Sequence, residues 1–151
     1  MIEDIEKIVK RLQSFTDQLV EFIKDELMEN EELIIQMNSD EQLYEQGINR
    51  VGVSISDYMP YTIKTLAIKT EKGQPTDRVT LRDEGNFERS FYIEFGDEKF
   101  EIKASDFKAE KLVMKYGRQI MGLTDENLDY IIRAKIKSRL LTEIRNPSLI
   151  L

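Results

Sequence analysis

From Ile5 onward, apolar residues recur at three- and four-residue spacing: Ile5, Ile8, Leu12, Phe15, Leu19, Phe22/Ile23 and Leu27. That spacing places them on one side of an α-helix, so residues 2–28 are predicted to form a single amphipathic helix. Val9, Val20 and Met28 widen the stripe. A coiled-coil seam uses fewer positions, so the helix is expected to pack on a core or on a neighbouring subunit. At roughly 1.5 Å per residue it is about 40 Å long. That is long for a chain of 151 residues, and part of its apolar face is expected to lie against another chain.

The length fits one domain with a real core. With 40% hydrophobic and 34% charged residues, the composition is that of a globular protein with a heavily solvated surface. No run of about eighteen apolar residues occurs, so no membrane-spanning helix is predicted. The start, "MIEDIEKIVK", is acidic and amphipathic, where a secretory signal needs a basic start and a continuous apolar run. The expected location is therefore the cytoplasm in which the chain is made.

The chain has no Cys and no His. Ser–His and Cys–His catalysis, disulfides and ordinary zinc sites are thereby excluded. Charge is uneven: residues 1–46 carry 13 acids against 4 bases, whereas residues 47–82 carry 3 acids against 6 bases. An acidic first third argues against sequence-specific nucleic-acid binding, which needs clustered Lys and Arg.

Further along, Leu33-Ile34-Ile35 is expected to continue the first helix after a kink, and "SDEQLYEQG" reads as a second helix. Ser39 would be its N-cap, Gln42 its capping-box partner and Gly47 its stop. Val51, Val53 and Ile55 alternate like a strand or extended loop. Asp57–Pro60 is a turn, and a short helix over 61–70 would present Ile63, Leu66 and Ala67 on one face. Residues 71–80 form an exposed loop, and Val79–Leu81 a short strand. "FYIEFGDEKFEIKA" is a β-hairpin turning at Gly96-Asp97. Ser105 or Asp106 caps a helix ending at Gly117. Thr124–Asn127 starts a last helix with the stripe Leu128, Ile131/Ile132, Ile136, Leu140 and Ile144.

The fold class that results is α+β: long N-terminal and C-terminal helices packed on a small central antiparallel sheet. Its parts within a single domain, 1–151, are a helix at 1–29, a β-rich centre at 47–104, a helical region at 105–145 and an apolar tail at 146–151.

No catalytic, cofactor or metal residues are assigned. In "LRDEGNFERSF", Asp83, Glu84 and Glu88 lack the spacing of a calcium loop. Asp83–Gly85 reads as a turn and Asn86 as the cap of a helical turn. "GQPTDR" is no phosphate loop, since it lacks the Gly-Lys-Ser/Thr run. The apolar end Leu149-Ile150-Leu151 is tied either into its own core or onto a partner.

Taken together, the central and C-terminal motifs resemble the phage virion-morphogenesis or tail-completion proteins of the Mu-like type, and more distantly the siphophage head–tail joining proteins. "LRDEGNFERSF" is similar to that family's segment before the hairpin, with Glu84 where the family has Thr and Phe87 where it has Leu. Arg118–Glu126, "RQIMGLTDE", is similar to its Arg-to-Leu-Gly-Leu segment, with Met121 for Leu. The resemblance spans roughly 43–145. "KYGRQ" stands where the family has a His-containing stretch, and a solvent-facing Glu84 is needed for the match. The resemblance implies a structural protein of the virion with no active site. It would finish the tail or join it to the head, commonly as a ring, first in the host cytoplasm and then in the particle. Implied partners are further copies of itself and other neck or tail proteins, and an acidic body would suit the passive lining of a DNA channel. Candidate contact residues are Phe15, Phe22, Gln74, Pro75, Leu149, Ile150 and Leu151. The alternative from another class is an intracellular adaptor or regulatory module that binds a protein through its acidic first helix.

Overall fold

The computed structural model describes residues 2–145, so Leu149, Ile150 and Leu151 lie outside the described residues. The architecture is α+β. A long helix α1 (Ile2–Glu29) turns at Asn30 into α2 (Glu31–Gln36), which continues without a break through wider π-type turns over Met37–Gln46. Three short helices follow: α3 (Ile55–Tyr58), α4 (Ile63–Glu71) and α5 (Asn86–Arg89). The sheet is one hairpin, β1 (Phe91–Phe95) with β2 (Phe100–Ala104). Then come α6 (Ala109–Tyr116), a single 3₁₀ turn (Arg118–Ile120), and a C-terminal helix. This last helix runs as α7 (Asp125–Tyr130), a π-type stretch (Ile131–Lys137) and α8 (Ser138–Ile144).

The hairpin follows from strict alternation. Phe91, Ile93 and Ile102 face the core, while Tyr92, Glu94 and Glu101 face water, and the register pairs Ile93 with Ile102. One edge is covered from α2, where the Glu31 carboxylate accepts the Ile93 N–H at 3.0 Å, which spares that strand an open edge. Lys103 pairs with Glu94 across the exposed face.

The core is built around fully buried Ile34, Leu43, Ile55, Ile120 and Ile131 with Val79, Phe87 and Phe91. Phe87 and Phe91 meet edge to face at 4.9 Å, the geometry aromatic pairs favour.

Several local expectations are corrected. Ser39 is not an N-cap, because the helix passes through it and both Ser39 and Gln42 are buried. Gly47 does stop the helix, in the left-handed conformation at φ 65°, with the Ile48 N–H donating back to the Gln42 carbonyl at 2.9 Å. Val51 and Val53 form no strand. Asn49 Oδ1 accepts both their N–H groups, at 3.0 and 3.1 Å, and bends the segment into a turn.

In α4 it is Lys69 that is buried, while Ile63 is 87% exposed. Val79–Leu81 is no strand either. Its N–H groups go to side chains: Val79 N to Ser56 Oγ at 3.1 Å and Thr80 N to Tyr61 Oη at 3.0 Å. Leu81 is held at φ 59°, a costly conformation for a non-glycine residue. The centre at 47–104 is therefore largely short helices and pinned loops around one hairpin. Gly85, not Asn86, occupies the cap before α5. The α6 helix starts at Ala109, with Asp106 Oδ1 accepting the Lys108 N–H at 2.8 Å.

Candidate functional site

The feature that stands out is what α1 does after it leaves the core. Near its C-terminal end, Leu27 is buried and Ile23 packs against the core, and Glu26 Oε1 lies 3.4 Å from Arg139 Nε of α8. Residues 19 and 20, with Phe22, are half-buried. From 4 to 18 every residue is exposed. The stripe in that span is Ile5, Ile8, Val9, Leu12 and Phe15, with Phe15 59% and Leu12 61% exposed. One helix thus has an apolar face that is buried at its C-terminal end and exposed over residues 4–18. The distal turns carry side-chain hydrogen bonds of their own, such as Gln13 Nε2 to Asp17 Oδ1 at 3.0 Å. A helix of this length without tertiary support is marginal in water, and scattered single apolar residues would not be notable, whereas a contiguous stripe is.

The remaining candidate contacts fare differently. Phe22 is half-buried at the border between the core and the projecting stripe. Gln74 and Pro75 are half-buried as well, so they do not form a protruding tip. Gln74 is latched on both sides: its Nε2 donates to the Asp83 carbonyl at 2.8 Å and its Oε1 accepts Lys69 Nζ at 3.0 Å. Lys69 Nζ also donates to the Arg82 carbonyl at 2.6 Å and lies 5.2 Å from the centre of the Tyr61 ring. A buried ammonium with three such partners is satisfied, and it ties the 72–83 loop to α4. Lys72 and Asp83 close the loop's base. Their hydrogen bond holds the Asp83 carboxyl below its ordinary range.

Sequence reasoning missed a polar knot on the other side of the core. Asn38 and Gln42, both fully buried, sit one turn apart and grip the "IMGLT" segment. Asn38 Nδ2 donates to the Ile120 carbonyl at 3.1 Å and its Oδ1 accepts the Gly122 N–H at 2.9 Å. Gln42 Nε2 donates to the Gly122 carbonyl at 2.8 Å. Its Oε1 accepts the Thr124 N–H at 2.9 Å and Asn127 Nδ2 at 3.0 Å. Thr124 in turn caps α7. The signal in the sequence was only two amides at i and i+4 between Met37 and Leu43.

The "LRDEGNFERSF" turn holds a second surprise. Glu84 is exposed, which keeps the match open at that position. Asn86 serves Arg89, whose Nη2 donates to Asn86 Oδ1 at 2.6 Å and to the Glu84 carbonyl at 2.9 Å. Gly85 has φ 80°, and an added Cβ would meet Arg89 Nη1 at 2.8 Å. The buried acid is Glu88, 5% exposed, with neither carboxylate oxygen hydrogen-bonded. Arg82 Nε lies 3.6 Å away, but Arg82 also pairs with Asp40 and stacks 4.2 Å above the Tyr44 ring. Burial pushes the Glu88 carboxyl above its ordinary 4.5, and the Arg82 charge only partly offsets this.

A carboxyl whose folded pKa is raised gives stability that is fully present below pH 4.5 and lost as pH rises through the folded value. Glu26, also raised by burial and by Glu29, acts in the same direction. Glu88→Gln is therefore expected to stabilise the protein at pH 7 by about 1 kcal/mol, the scale seen when a poorly paired buried charge is neutralised. The gain should disappear near pH 4. Thermal melts of both forms across that range check it, and a lower melting temperature for the variant at pH 7 would show that Arg82 compensates the charge.

Among the described residues, no group of three or more Asp or Glu is placed to hold a metal ion, and no helix is long and apolar enough to cross a membrane. An open groove of about 710 Å³ runs between the hairpin and α6, lined by Tyr92, Phe100, Val113 and Met121 with Arg50 and Arg118. In comparisons with known proteins, no family model, no curated protein and no solved structure matches this chain.

Proposed function

We propose that the protein is a structural subunit of a phage or prophage particle that acts in tail completion or head–tail joining, and that it assembles with other copies of itself through surfaces that include the projecting part of α1. The observation that carries the assembly reading is the exposed stripe Ile5–Phe15 on turns whose residues from 4 to 18 are all exposed. Such a surface is what a subunit presents before it meets its neighbours. The assignment to a phage particle rests on the resemblance of the "LRDEGNFERSF" and "RQIMGLTDE" segments. Both are held in defined local structures, the first by Gly85 and the Phe87–Phe91 pair and the second by Asn38 and Gln42. On this reading the protein passes from the host cytoplasm into the particle, its partners are other copies and neck or tail proteins, and ring closure is the expected form. No part of it performs catalysis.

The adaptor reading draws on the same surface, because α1 is exposed and carries 8 acids against 4 bases between residues 2 and 29. Deletion of the gene from a lysogen separates the two. The virion reading predicts filled heads and finished tails that remain unjoined, or tails of abnormal length, with host growth unaffected. Normal particle yield from the deletion strain would overturn it.

A further inference from the structure

We propose that α1 pairs with α1 of a second copy of this chain, antiparallel, through a heptad seam formed by Ile5, Ile8, Leu12, Phe15, Leu19 and Phe22. Their spacing alternates three and four without a fault, the a/d pattern of two interlocking helices. The seam ends where the body begins: Glu26, the next position of the repeat, is buried against Arg139, and Ile23 and Leu27 face the core beside it. The first four seam residues are exposed, and Leu19 and Phe22 keep part of their surface free. The inference rests on the reading of α1 as the assembly surface, but not on a virion role.

Direction and register follow from shape and charge. An antiparallel pair sets a positions against d positions. Ile5 then lies opposite Phe22, Ile8 opposite Leu19 and Leu12 opposite Phe15, each layer occurring twice by symmetry. In this register the basic turn Lys7–Arg11 lies at the level of the acidic turn Asp17–Glu21 of the second copy, on the outer faces of the pair, with Arg11 opposite Gln18 at the seam itself. A parallel pair in register would instead bring the two basic turns to one level and the acidic turns to another, the less favourable distribution of charge. One like-charge contact, Asp4 against Asp25, remains at each end.

The area is sufficient. Ile5, Ile8, Val9, Leu12 and Phe15 are each more than half exposed. At on the order of 100 Å² apiece they bring the pair to about 1,000 Å², the lower bound for a specific interface, before Leu19, Phe22 and the flanking side chains are counted. A two-fold interface closes on itself at two copies. Growth beyond the dimer must then use a different surface, and the C-terminal helix exposes Ile132, Leu141 and Ile144.

The test uses the full chain, which has no cysteine. Sedimentation of the wild type at micromolar concentration should give a dimer or an even multiple of it. Leu12→Asp should sediment as half that species while Tyr116, buried in the core, keeps its fixed near-ultraviolet dichroism. Single-cysteine forms Leu12→Cys and Phe15→Cys then fix the direction. Mild oxidation of their mixture should give mainly the mixed disulfide, and neither alone should cross-link efficiently. A wild-type monomer would overturn the pairing, and efficient Leu12–Leu12 cross-linking would overturn its direction. Either failure leaves the deletion phenotype free to support the virion reading, and a dimer with no particle phenotype would sink that reading alone.

Discussion

Gln42→Leu is expected to destabilise the protein by about 3 kcal/mol, although leucine fills a similar volume and is the better helix former. The side chain is fully buried and meets three partners in the segment 80 and more residues away: the Gly122 carbonyl, the Thr124 N–H and the Asn127 amide. Leucine leaves all three without a partner and away from water, at roughly 1–3 kcal/mol each when no water replaces the bond. The Thr124 cap of α7 depends on that anchoring, so the start of the C-terminal helix should fray as well. Urea unfolding at pH 7 measures the effect. A loss under about 1 kcal/mol would mean that water enters the knot and replaces the amide.

Ile131→Ala should cost about 3–4 kcal/mol, the range for truncating a buried aliphatic side chain whose surroundings cannot collapse. Ile131 is fully buried where the C-terminal helix meets the base of α1. The local i→i+5 hydrogen bonding of Ile131–Lys137 fixes which residue points inward, so a neighbour cannot rotate in to fill the gap. Ile132→Ala, one residue on but exposed, should change stability by less than about 0.5 kcal/mol. Equal effects at the two positions in thermal or urea unfolding would show that the inward face of this helix has been misplaced.

Much of the fold was legible because it depends on local pattern. The hairpin was carried by the alternation of Phe91, Ile93, Phe95 with Phe100 and Ile102 around Gly96. The Gly47 and Gly117 stops and the Thr124 cap followed from backbone chemistry at single residues. What could not be read depends on partners far away in sequence. Gln42 reads as a capping-box partner and Asn38 carries no signal until Gly122 and Thr124 are brought against them. Nothing in the sequence marks Lys69 for burial, yet its amine donates to Gln74 and to the Arg82 carbonyl.

The reverse error occurs with Val51, Val53 and Ile63. Their apolar character suggested a strand or a packed face, but Asn49 captures the first two N–H groups and Ile63 points into water. For the site, the length of α1 announced spare apolar surface at Phe15. Nothing in the pattern said that the helix would quit the core near Leu19. The latched state of Gln74 was equally invisible, since the loop around it has an exposed composition.

Electron microscopy of the purified protein, together with particles from an induced lysogen probed with an antibody to this chain, tests the assembly role most directly. The expected result is discrete multi-copy assemblies of the purified protein, reduced to half their copy number by Leu12→Asp, and label at the head–tail junction or tail end of the particle. A monodisperse monomer with no label on any particle would contradict it.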